Sequence, residues 1–349
     1  MSDLTPASEP GPGAGARLLA EVEREPVRWL WPDRIPFGKL TVVEGDPAVG
    51  KSTVVYDLAA RYSSGAEWPD GQQGRGEGRV VLLSAEDDAA DTIVPRLMAA
   101  GADLSRICLW DRAVVWDEDG ERSVPIVFPD HLPYLHGQVR SFAARLVIVD
   151  VLMAYLSAQV DSHKDQSVRV LLSRMSDLAA ATGAAIVLVR HLNKGGSGPA
   201  IYRGGGSIGI IGAARAGFQV IADCDVPDRR LFTCVKSNLA TKAPTLAYRL
   251  EPVAGLDVAR VVWEDGPDPR SADELHAASA AAPTKFAAAA EWLDLYGATH
   301  SWEAQSADVI REAAEHSIAR ATLYRAAEHA RIVRSTRGGS GRWSWPQPD

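Results

Sequence analysis

Cysteine is scarce in this chain: its 349 residues include only Cys108, Cys224 and Cys234, without CxxC pairing or metal-ligand spacing. That excludes a disulfide scaffold and a zinc-ribbon site, and predicts free thiols in a reducing compartment. Long apolar runs are also missing. None reaches the roughly 18–20 residues that a bilayer requires, and the first residues lack the basic and apolar regions of a secretory signal. A cytoplasmic setting with no membrane contact is expected. Excess positive charge is the third absence: 37 Lys and Arg stand against 45 Asp and Glu, a net of −8. Any nucleic-acid contact must then come from local basic patches, not from a global field.

The composition that remains is ordinary, 46% hydrophobic and 23% charged, in a chain long enough for two domains. Residues 1–17, rich in Pro, Gly, Ala and Ser, read as a disordered tail. From there to residue 264, apolar runs at Leu40–Val43, Val80–Leu83, Leu146–Val149 and Ile186–Val189 alternate with helical patterns. Apolar strands separated by helices predict an α/β domain with a mainly parallel central sheet covered on both faces. Runs at Phe218–Ile221, Leu231–Val235, Leu246–Leu250 and Val261–Trp263 lack intervening helices and predict an antiparallel extension. Residues 265–284, poor in large apolar side chains, read as a linker. A C-terminal domain over residues 285–349 follows.

Gly45-Asp46-Pro47-Ala48-Val49-Gly50-Lys51-Ser52, followed by Thr53, fits the phosphate-binding pattern G-x-x-x-x-G-K-[ST]. Its glycines let backbone N–H groups turn toward phosphate oxygens, and Lys51 brings a cation to the β- and γ-phosphates. Ser52 offers a hydroxyl to Mg²⁺, and the helix that follows points its positive end at the anion. ATP with Mg²⁺ is the expected ligand. Asp150, closing the apolar strand Leu146–Val149, suits a magnesium-holding carboxylate, against the alternative of a turn or cap aspartate. Val80–Leu83 runs into Ser84-Ala85-Glu86-Asp87-Asp88. There Glu86, nearest the strand, could take a proton from water, whereas Asp87 and Asp88 equally suit a helix N-terminus.

On these residues the stretch from about Trp29 to Glu264 resembles the RecA-like ATPases, in particular the hexameric plasmid and phage replicative helicases typified by RepA. The matching pieces are Gly45–Thr53, Ala85–Asp87, Arg96-Leu97, Val149-Asp150, Val189–Gly195, Arg203–Ser207, Arg215 and Lys236–Asn238. The resemblance implies that Glu86 is the catalytic base and Asp150 the Mg²⁺ aspartate. It implies that His191 senses the γ-phosphate, and that Arg215 and Lys236 reach a neighbouring subunit's ATP. Arg190 and Lys194 flank His191 where the family varies. Taken by itself, His191 also suits a hydrogen-bonded, partly buried histidine, and Arg215 a surface arginine. The glycine-rich basic stretch with Lys194 and Arg203 suits a loop tracking single-stranded DNA in a ring's channel, or an ordinary surface loop.

Residues from about Lys285 to Trp345 resemble a winged helix-turn-helix, with helices near 286–296, 306–315 and 318–330. The third helix is expected to face Leu323, Ala327 and Ala330 inward and Thr322, Arg325 and His329 outward; a hairpin wing follows. Six arginines from Arg320 to Trp345 face one acid, Glu328, a local charge of 6 − 1 = +5. Arg320, Arg325, Arg334 and Arg337 are the expected duplex-DNA contacts, although a protein-docking module would carry the same pattern. The leading expectation is thus a homo-hexameric, ATP-driven DNA helicase. The alternatives are a DNA-binding adaptor whose ATP state controls oligomerisation, and, with less in its favour, a small-molecule kinase.

Overall fold

The computed structural model describes residues 18–74, 76–117, 120–157, 160, 165–192, 209–281, 285–335 and 341–346. The chain divides into two compact units, Met1–Ala272 and Asp273–Asp349. The expected tail 1–17, Lys194, Arg203, Arg337 and residues 336–340 of the expected wing lie outside the described residues.

The first unit opens with the short strands β1 (Trp29–Trp31) and β2 (Ile35–Pro36) and then enters β3 (Leu40–Gly45), which leads to helix α1 (Lys51–Ser64). Strand β4 (Val80–Ser84), helix α2 (Val94–Ala99) and strand β5 (Ile107–Leu109) follow. A hairpin of β6 (Arg112–Asp117) and β7 (Gly120–Pro125) precedes helix α3 (Leu132–Ser141). Next come β8 (Leu146–Asp150), α4 (Asp165–Thr182), β9 (Ala185–His191), α5 (Gly209–Ala213) and β10 (Ala216–Ala222). The meander β11 (Arg229–Ser237), β12 (Thr245–Val253) and β13 (Val258–Asp268) completes the unit.

Nine of these strands form one sheet in the order β13-β12-β11-β10-β3-β9-β8-β4-β5. Strands β10, β3, β9, β8, β4 and β5 are parallel, and β11 to β13 run antiparallel. The central strands are mostly apolar because helices cover both faces; Thr41, Glu44, Arg190 and Gln219 are buried polar exceptions. Val43, Val189 and Phe218 pack with Val54, Val55 and Leu58 of α1 on one face. Val42, Leu188 and Val147 pack with Leu171, Leu172 and Met175 of α4 on the other. The fold is thus the expected α/β core.

Three differences from expectation have local causes. Phe218–Ile221 belongs to β10, which is parallel to β3 and not part of the antiparallel extension; α5 just before it reverses the chain. Strand β13 runs past residue 264 to Asp268, where Thr245 pairs with it. As the outermost strand it tolerates Pro267. The expected linker holds helix α6 (Ala272–Ala281). Small residues there suggested a loop, but alanine is the best helix former, and Asp273 and Glu274 suit a helix's first turn.

The second unit adds α7 (Lys285–Thr299), β14 (Glu303–Gln305), α8 (Ser306–Glu315), α9 (Arg320–His329), β15 (Val333–Ser335) and β16 (Arg342–Ser344). Its three-stranded sheet has the order β14-β16-β15. Ala289, Leu293, Val309, Leu323, Ala327 and Trp343 form its core. The sequence did not reveal β14, which is three residues long. Thr322 is buried, against expectation. It lies one turn from Ala326, so the inward face of α9 is broader than the Leu323/Ala327 stripe suggested.

Candidate nucleotide site

The four parallel strands β3, β9, β8 and β4 end at one edge of the sheet, at Gly45, His191, Asp150 and Ser84. Gly45 must be glycine: a Cβ there would meet Val220 O at 2.5 Å. Ala48 and Gly50 turn the loop with φ of 60° and 95°, and no side chain caps the first turn of α1. Its leading N–H groups are therefore left to an anion. The far face of α1 packs Val54, Val55 and Leu58 into the core, which holds the helix start rigidly.

Lys51 is 4% exposed, and its ammonium donates to Asp46 O at 2.7 Å. Burial lowers its pKa, while Asp150, Asp46 and Glu86 pull it back up. Asp150 is 3% exposed. Burial pushes its carboxyl up to about 6; Asp87 and Glu86 add to the rise, while a hydrogen bond from Ser52 and the Lys51 charge oppose it. Asp150 Oδ1 is buried with no partner among the described residues. A hard cation wants such an oxygen, next to a hydroxyl. Ser52 and Asp150 therefore fit Mg²⁺.

The three carboxylates after β4 separate into distinct roles. Asp88 accepts from the N–H groups of Ala90 and Asp91 and caps the turn that leads to α2. Asp87 takes Arg96 Nη1 at 2.6 Å and the Tyr56 hydroxyl at 3.4 Å. Glu86 is left exposed, its Oε1 3.8 Å from His191 Nε2. The His191 pKa falls through burial and the nearby Lys51 charge, and Glu86 opposes that fall. Lys51, Ser52, Thr53, Glu86 and His191 line a cavity of about 430 Å³. The structure thus brings together the phosphate loop, Glu86, Asp150 and His191.

It adds residues that sequence reasoning missed. Leu250, Asp257, Val258 and Ala259 of the β12–β13 hairpin close the same cavity. They lie some two hundred residues beyond the loop, and no local motif marks them. Arg96 carries part of the resemblance, but nothing in the sequence marks its pairing with Asp87 at the cavity wall.

Arg215 and Lys236 are not brought to this cradle. Arg215 is exposed just before β10, whose partner positions run from Ala216↔Thr41 to Val220↔Gly45. Four residues of strand, ~13 Å, separate its end of the sheet from the phosphate loop. Lys236 faces Gly217 near that same end, and its ammonium binds Ile211 O and Gly212 O at 2.8 Å, capping α5.

A family model described as an AAA domain matches residues 14–197, more than half of the chain. The chain belongs to the AAA domain family. It is a P-loop ATPase with a RecA-like α/β fold. No curated protein matches. Among solved structures, a KaiC-like protein from the hyperthermophilic archaeon Pyrococcus horikoshii OT3 is similar at 15% identity, with a TM-score of 0.45. The alignment covers 68% of this chain and 100% of that one. No helix among the described residues is long and apolar enough to cross a membrane.

Proposed function

We propose that this ATPase is a DNA motor, a hexameric replicative helicase of a phage or mobile element. The observation that carries the reading is the placement of Arg215, exposed at the sheet end opposite its own phosphate loop. From there it can serve a neighbour's nucleotide but not its own. Ser52 and Asp150 would hold Mg²⁺, which neutralises charge between phosphates when bound. Lys51 steadies the β- and γ-phosphates. Glu86, open to water beside His191, accepts the proton of the attacking water. His191 registers the γ-phosphate, and Arg215 of the adjacent subunit stabilises the charge that develops on it.

The C-terminal unit supports DNA as the partner. Its order α7-β14-α8-α9-β15-β16 is the winged-helix order, and α9 with the hairpin carries the arginine excess. Arg325 is exposed. Arg334 lies 4.5 Å over the Tyr324 ring, and Arg320 donates to the Tyr324 hydroxyl at 2.9 Å, so both arginines are held on one aromatic support. Lys194 and Arg203 are proposed to track single-stranded DNA in the ring's channel.

Strand displacement on a forked duplex tests the motor. The expected result is ATP-dependent release of the displaced strand, lost in Lys51→Ala. DNA-stimulated hydrolysis without release would replace the motor by an ATP-controlled DNA adaptor.

A further inference from the structure

Three polar side chains form a row inside the sheet, one position before the site. The registers Glu44↔Arg190 and Gln219↔Glu44 set them side by side on β9, β3 and β10. Arg190 Nε donates to Glu44 Oε2 at 2.7 Å, Arg190 Nη2 lies 2.6 Å from the same oxygen, and Gln219 Nε2 donates to Glu44 Oε1 at 2.7 Å. Both oxygens of the carboxylate are engaged, and all three residues are at most 1% exposed. By strand alternation they point to the face covered by α4 and α5, away from α1.

A central strand position of this kind is ordinarily Val, Ile or Leu. An ion pair sealed from water spends most of its attraction on desolvation, so it is a poor source of stability and a good source of unique geometry. What this row orients is the next residue along. Gly45, which opens the phosphate loop, follows Glu44, and His191 follows Arg190; the two are themselves a register pair. Leu192 N donates to Gly45 O at 3.0 Å just beyond. The backbone ladder sets the register, and an apolar row would add no directional contact to fix the strand ends more finely. A two-pronged guanidinium–carboxylate contact cannot slip without breaking.

We propose that Glu44, Arg190 and Gln219 are positioning residues for phosphate cleavage. They fix the height of the His191 strand end against the phosphate loop, so that His191 meets Glu86 and the cradle together. The inference rests on the ATPase reading of the site and goes beyond it in assigning a role to side chains that never touch nucleotide.

The test combines Glu44→Gln with Arg190→Met, which removes both charges at once and leaves neither buried unpaired. Full-length protein is assayed for ATP turnover, for affinity toward a fluorescent ATP analogue and for its unfolding midpoint. A misplacement of His191 should lower kcat about ten-fold or more while leaving the analogue's Kd within about three-fold. Arg190→Lys, keeping charge but losing the fork, should fall between. In a His191→Asn background the same pair of changes should cost less than about two-fold, because the positioned group is already gone. A purely structural row would instead cost the same factor in both backgrounds, or weaken Kd and the unfolding midpoint in step with kcat. Either result, or an unchanged kcat, overturns the proposal. Should the neutral pair fail to fold, Gln219→Met, which leaves the ion pair in place, is judged by the same three readouts. Wild-type protein that neither binds the analogue nor turns over ATP would instead defeat the reading of the site itself.

Discussion

At the residue scale, Asp150 serves two opposed demands. Its carboxylate must be charged to hold a cation, yet the fold buries it beside Glu86 and Asp87. A carboxyl raised from 3.8 to about 6 is destabilised by its charge in the free protein above that pH. Asp150→Asn should therefore stabilise the nucleotide-free protein by about 1–3 kcal/mol near neutral pH, read as a higher unfolding midpoint. The gain should shrink as pH falls from about 6 toward 3.8, because the wild-type carboxyl becomes neutral in the folded state. Turnover should be lost in the same variant. Wild-type protein should gain stability from Mg²⁺-ATP that the variant does not, which thermal melts with and without ligand will show. The placement of Lys51, Ser52 and Asp150 at the strand and helix ends was legible in the sequence because each sits inside a contiguous pattern: a glycine loop, or an apolar strand ending in Asp. Asp87 and Asp88 were not separable there, since only the approach of Arg96 and the cap on Ala90 tell them apart.

At the scale of elements, the antiparallel half of the sheet is tied down by ion pairs. Arg229 binds Asp223, Glu264 and Asp268, and Arg270 binds Asp223, Asp225 and Asp268. Together they pin the β10–β11 turn to the end of β13. Burial opposes the charge of Asp223, but the hydrogen bonds from Arg270, Asp225 N and Arg229 prevail and hold its carboxyl at about 2. The Asp268 carboxyl is held below the usual range by Arg270 first. Depressed carboxylates stabilise the fold above their unfolded pKa, near 3.8, and that stability is lost as pH falls toward 2. The unfolding midpoint should accordingly drop between about pH 4 and pH 2, and Arg270→Ala should flatten that dependence. An unchanged slope in the variant would show that other carboxylates govern acid unfolding. The strands themselves were readable from apolar runs. Helix α6 was not, because the alanine-rich stretch was weighed for lack of core residues and not for helix propensity.

At the scale of the whole molecule, the proposed ring depends on sites completed by a neighbour. Arg215→Ala and Glu86→Gln subunits should each be inactive alone. Mixed at equal amounts, they should recover a measurable share of wild-type ATP turnover, because some interfaces then join an intact Glu86 to an intact Arg215. Steady-state hydrolysis across mixing ratios checks this, and no recovery at any ratio would exclude a shared site.

The sequence by itself determined the phosphate loop, the strand that enters it, the helix that leaves it and the arginine excess of the last residues. All of these are set by neighbours in the chain, through backbone geometry, apolar period or local charge. The tertiary structure alone decided that β3 lies between β9 and β10, so that Glu44 meets Arg190 and Gln219 across 146 and 175 residues. It also decided that the β12–β13 hairpin closes over the loop, and that Arg215 lies at the sheet end opposite its own cradle. Strand order carries no local signature: any apolar strand can pair with any other, and only simultaneous burial of the whole sheet selects one arrangement.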